Sequence, residues 1–161
     1  MVREIDRQLA TVLARHAVAH AAPGELPLFE VTSDAFFAAP GRAGRAFRRS
    51  EPLGFGLETA VTVVSTIALT VTVDVLKEIT TRHAERLVSS SASRVGRVLR
   101  RRFARRSRQS AEPLPSLDQE QLAALRELAY RRALELRASD EQAARIADGI
   151  VSALAGPTSD P

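Results

Sequence analysis

The residues of this sequence best suited to chemistry are arginines. Eight of the fifteen residues from Arg94 to Arg108 are arginine, and we call them the Arg cluster: Arg94, Arg97, Arg100, Arg101, Arg102, Arg105, Arg106 and Arg108. A guanidinium group is permanently charged and donates paired hydrogen bonds to phosphate or carboxylate groups. The cluster therefore predicts contact with an anionic membrane surface or another polyanion. The alternative is a solvated face that only neutralises acidic parts of the chain.

The charge is divided unevenly along the chain. The whole sequence carries a net charge of +4, from 23 Lys and Arg and 19 Asp and Glu. Residues 77–108 alone carry +9, whereas residues 109–161 carry −4. This division predicts an anionic partner for the basic stretch, which is nucleic acid, lipid headgroups, or the acidic C-terminal part of this or another copy.

The motifs of common enzyme classes are missing. The chain has no cysteine, which excludes a disulfide framework, a cysteine-ligated zinc site and a thiolate nucleophile. It also lacks the G-x-S-x-G, P-loop and H-E-x-x-H patterns. We therefore expect a non-enzymatic protein with no catalytic residues, no cofactor and no small-molecule substrate.

His16 and His20 have the spacing of a helical metal-ligand pair. Two histidines four residues apart lie on one helix face, and Glu25 or Asp34 are the nearest candidates for a third ligand. Nothing in the sequence places these carboxylates beside the histidines, and a two-ligand spacing occurs easily by chance. We therefore expect no metal site.

The N-terminal part predicts one helix followed by a linker. Residues 3–20 have helical periodicity, which assigns residues 1–22 to an N-terminal amphipathic helix. Residues 23–52 are rich in Pro, Gly and Arg, which predicts a weakly structured linker. This linker has room for a short strand at 28–32 and one helical turn capped by Ser33 or Asp34. The apolar face of the helix comprises Ile5, Leu9, Val12, Leu13 and Ala17.

Residues 53–76 form the longest apolar stretch. Its β-branched residues alternate as in a strand, but polar residues recur every four positions, which favours a helix with one polar stripe. We predict a long apolar helix that continues into an Arg-rich amphipathic helix over 77–108. The stripe comprises Glu58, Thr62, Thr66, Thr70 and Asp74.

This apolar helix has two competing interpretations. It is long enough to span a membrane, with Glu58 and Asp74 near the two interfaces. Alternatively it is a buried helix of a soluble bundle, packed on the N-terminal helix and the C-terminal part, with its threonines facing solvent. The Arg-rich continuation favours a cytoplasmic C-terminal side in the membrane case.

The C-terminal part predicts a helical hairpin over 117–155, between a linker at 109–116 and a disordered tail at 156–161. Capping-box patterns occur at Ser116 with Gln119 and at Ser139 with Gln142. The hairpin carries apolar stripes that need another surface to cover them, which predicts a partner-helix surface. That surface comprises Leu122, Leu125, Ala129, Leu136, Ile146, Ile150 and Leu154.

The sequence as a whole predicts an all-α protein. The favoured function is a non-enzymatic, membrane-associated interaction or adaptor protein, in which 53–76 inserts or docks and the Arg cluster contacts anionic lipid. Its hairpin would bind a helical protein or a second copy. The alternatives are a cytoplasmic helical protein that binds nucleic acid or another polyanion through the same arginines, and a soluble helical oligomer subunit.

Overall fold

The computed structural model describes residues 2–39, 63–90 and 117–156, with side chains from residue 7 onward except at 84 and 86–90. Every regular element in these ranges is a helix, and no strand occurs among them, so the all-α prediction is confirmed. The chain forms two compact units. The first unit comprises Met1–Val75 and Leu117–Pro161, and the second comprises Leu76–Ser116.

Helix α1 spans Val2–Ala21, which confirms the predicted N-terminal helix. A short 3₁₀ turn, Pro23–Glu25, follows at the predicted stop. The predicted apolar face is correct at Leu13 and Ala17, which are buried together with further small and branched residues of the same face. It is wrong at Val12, which is 55% exposed. The additional buried residues of α1 are Ala10, Ala14 and Val18.

Helix α2 spans Leu26–Ala38, so the strand predicted at 28–32 is wrong and the first part of the expected linker is ordered. Proline lies in the first turn of α2, where its fixed φ suits a helix and its missing N–H costs nothing. Phe29, Ser33 and Phe36 are the buried residues, at the i, i+4, i+7 spacing of one helix face. Tertiary packing of this face outweighs the weak strand propensity of the sequence. Residues 40–52 lie outside the described ranges.

Helix α3 spans Val63–Ser90. The helical interpretation of the apolar stretch is confirmed from Val63 onward, but a single long apolar helix over 53–76 is not supported. The first-turn amides of Val64 and Ser65 donate to the carboxylate of Glu25, as amides without a helical carbonyl partner do. Residues 53–62 and 91–108 lie outside the described ranges.

The buried side of α3 is wide. Residues that are at most 5% exposed occupy more than half of the helix circumference at 100° per residue. They are Val64, Ser65, Ile67, Ala68, Leu69, Val71, Thr72 and Val75. This half of α3 is therefore a core helix of the first unit. In the described part of the chain, no helix has the length and apolarity required to cross a membrane.

Helices α4, Gln119–Glu135, and α5, Asp140–Ala155, form the predicted hairpin. The capping box of α5 is the predicted one, between Ser139 and Gln142. The box predicted at Ser116 is wrong, because Asp118 caps α4 and pairs with Gln121 instead. Two backbone hydrogen bonds close the end of α4: the N–H of Arg137 donates to the carbonyl of Leu134, and the N–H of Ala138 donates to the carbonyl of Ala133. Arg137 lies in the left-handed region, at φ 69°.

The hairpin packs on α1 through α5. The closest approach is at Gly149, where an added Cβ would lie 2.7 Å from the Cα of Ala17. Small residues on both helices permit this approach, since Ala10, Ala14 and Ala17 lie on one side and Ala143 on the other, all fully buried or nearly so. The N-terminal and C-terminal parts of the chain thus share one core.

Candidate functional site

The eight arginines of the Arg cluster lie outside the described ranges, as do Glu58 and Thr62 of the polar stripe. Their assignment to the second unit is nevertheless clear, because Leu76–Ser116 contains the whole cluster. This unit holds eleven Lys and Arg and three Asp and Glu. It therefore carries +8, whereas the first unit carries −4.

Most arginines of the first unit whose side chains the structure describes are ion-paired. Six of them lie between 2.5 and 3.5 Å from a carboxylate oxygen: Arg7, Arg15, Arg126, Arg131, Arg132 and Arg145. Arg137 also has an interaction partner. Hence no described arginine side chain of this unit is left without a partner. At the six ion-paired arginines, an external anion would have to compete with an existing carboxylate.

Arg132 connects α4 to the polar stripe of α3. Its Nη2 lies 3.0 Å from Oδ2 of Asp74, whose side chain is only 22% exposed. Its Nη1 donates to Glu135 on the same helix. The hydrogen bond to Glu135 and the charge of Asp74 raise the pKa of Arg132 above its ordinary value. Asp74 therefore serves an interhelical ion pair within the first unit.

The threonines of the stripe form local contacts. Thr66 and Thr70 are both half-buried, and the Thr70 hydroxyl donates to the carbonyl oxygen of Thr66 at 2.9 Å. A bond to the carbonyl four residues earlier is the usual partner of a helical threonine. A different threonine, Thr72, is fully buried on the opposite side, and its hydroxyl has no hydrogen-bond partner among the described atoms.

Glu25 has a role that the sequence analysis missed. Its Oε2 accepts hydrogen bonds from the backbone nitrogen and the hydroxyl of Ser65, both at 2.7 Å, and its Oε1 accepts one from the nitrogen of Val64 at 3.2 Å. A carboxylate at this position satisfies free amides and interacts favourably with the helix dipole. The cap comes from 40 residues earlier in the chain, so no local pattern signals it.

His16 and His20 are both exposed on α1. The two carboxylates considered as further ligands have other partners, because Glu25 caps α3 and Asp34 pairs with Arg7 at 2.8 Å. Within the described ranges, no group of three or more metal-ligating side chains comes together.

The predicted partner-helix surface lies largely inside the first unit. Leu125, Ala129, Ile146 and Ile150 are at most 3% exposed. Leu122, Leu136 and Leu154 are half-buried. Since α5 packs extensively on α1, the chain's own N-terminal helix occupies a position that the sequence analysis assigned to a partner helix.

Comparison with known proteins yields no relative. The sequence matches no protein-family model, and neither a curated protein nor a solved structure is significantly similar to it. Its function must therefore be argued from its own charges and contacts.

Proposed function

We propose that this chain is a non-enzymatic helical protein that binds nucleic acid through the Arg cluster of its second unit. The observation that carries the proposal is the separation of charge between the two units. The second unit has a surplus of eight positive charges, whereas six described arginines of the first unit are already paired with carboxylates. This separation supports placing the polyanion contact at Arg94–Arg108.

The chemistry of the cluster fits phosphate. Eight guanidinium groups can each donate two parallel hydrogen bonds to phosphate oxygens, which a lysine ammonium cannot do. The sequence carries no helix-turn-helix or zinc-finger motif, so we expect binding to the backbone without base recognition. The continuation of α3 into an Arg-rich amphipathic helix beyond Ser90 remains part of this proposal.

The packing of α3 favours nucleic acid over a membrane. Ile67, Leu69, Val71 and Val75 belong to the apolar stretch predicted to insert, yet each is at most 1% exposed inside the first unit. Moving them into lipid would require that unit to give up part of its core. The membrane-associated function with a cytoplasmic C-terminal part remains a prediction, and we treat it as a competing outcome.

The test is a salt series of nucleic-acid binding by the full chain. We would measure the fluorescence anisotropy of a labelled 30-base-pair DNA duplex, which is roughly 100 Å long. With six to ten phosphate contacts, we expect the affinity to fall about 10³–10⁵-fold between 50 and 200 mM salt. Replacing five arginines by glutamine, at Arg100, Arg101, Arg102, Arg105 and Arg106, should weaken binding at least about 100-fold.

The matched control removes five paired arginines from the first unit: Arg7, Arg15, Arg126, Arg131 and Arg145, each changed to glutamine. This control changes the net charge by the same five units, and the loss of exposed ion pairs lowers the stability of the protein only slightly. We expect its affinity to stay within about threefold of the unchanged chain. Equal losses in both variants would contradict the assignment to the Arg cluster. Pelleting with phosphatidylserine vesicles, without binding to the duplex, would contradict nucleic acid as the ligand and favour the membrane function.

A further inference from the structure

We draw no further inference here: the strongest candidate, the exposed apolar patch of Leu28 and Val31 on the outer side of α2, is small and lies beside the exposed Asp34, and nothing in the structure shows what covers it.

Discussion

Glu25 and Ser65 are 40 residues apart in the sequence, and two hydrogen bonds of 2.7 Å join them. Ser65 is fully buried, and it donates both its backbone amide and its hydroxyl to one carboxylate oxygen. The turn between α1 and α2 thereby supplies the N-terminal cap of α3. This contact links the turn between α1 and α2 to the core helix of the first unit.

Replacing Glu25 by alanine should destabilise the first unit. The substitution leaves the Ser65 hydroxyl and the amides of Val64 and Ser65 without their acceptor at a partly buried position. Hydrogen bonds to a charged group contribute about 1.5–3 kcal/mol each, so we expect the free energy of unfolding to fall by about 2 kcal/mol or more. Urea denaturation followed by circular dichroism measures this change.

Glu30→Ala is the matched control, because Glu30 is 65% exposed and forms a single ion pair with Arg15. An exposed pair contributes at most about 1 kcal/mol. If the two substitutions lower the stability by the same amount, the carboxylate of Glu25 does not act as the cap described here.

Thr72→Val should stabilise the protein. The hydroxyl of Thr72 is fully buried without a hydrogen-bond partner among the described atoms, and valine has nearly the same shape. Removing an unsatisfied buried polar group recovers about 1 kcal/mol or more of the free energy of unfolding. The same denaturation experiment shows the gain as a higher midpoint.

Thr70→Val tests whether that gain comes from the missing partner or from valine in general. The Thr70 hydroxyl donates a hydrogen bond to the carbonyl of Thr66. Removing this hydroxyl therefore relieves no unsatisfied polar group, and we expect no gain in the free energy of unfolding. Stabilisation by both substitutions to a similar extent would argue against the explanation given for Thr72.

The parts of this fold that were predictable are those set by local sequence. Ser139 and Gln142 satisfy each other's backbone groups within one turn, and the pattern predicted this box correctly. The box of α4 fell two residues away, because Ser116 and Asp118 both precede a suitable glutamine in the sequence. Several residues can cap a helix equally well, so a sequence pattern alone does not predict which of them forms the cap.

The wrong predictions concern features set by distant contacts. The strand predicted at 28–32 is a helix, because Phe29 of this segment is fully buried where α2 packs on α1. The N-terminal cap of α3 is supplied by Glu25, and no residue near Val63 in the sequence indicates this contact. The same applies to the candidate site, since the pairing of Asp74 with Arg132 joins residues 58 positions apart. The Arg cluster was evident from composition alone, because charge density is visible without a fold.

Gly149→Ala should destabilise the contact between α1 and α5. A Cβ at this position would lie 2.7 Å from the Cα of Ala17 and 3.1 Å from the carbonyl oxygen of His16. Backbone atoms cannot rotate away, so the two helices would have to separate. Overpacking of this kind costs about 1–3 kcal/mol. It should exceed the gain of about 1 kcal/mol that alanine brings to a helix.

Gly24→Ala serves as the comparison, because no atom lies within 4 Å of the added Cβ there. We expect little change in its melting temperature, whereas Gly149→Ala should melt several degrees lower. A Gly149→Ala protein at least as stable as the unchanged chain would refute the close approach of the two helices.

Tyr130 provides a prediction about pH, helped by its being the single tyrosine of a chain without tryptophan. Its hydroxyl donates to Oδ1 of Asp140 at 3.0 Å, and this bond raises its pKa above the ordinary value of 10. A raised pKa means that the folded state binds the proton more tightly. The resulting stability is present below pH 10 and is lost as the pH rises through the folded-state pKa. The absorbance of the phenolate should therefore appear at a higher pH in the folded protein than in urea. Asp140→Asn should remove this difference and Glu141→Gln should preserve it, and a titration unaffected by Asp140→Asn would show that the carboxylate is not its cause.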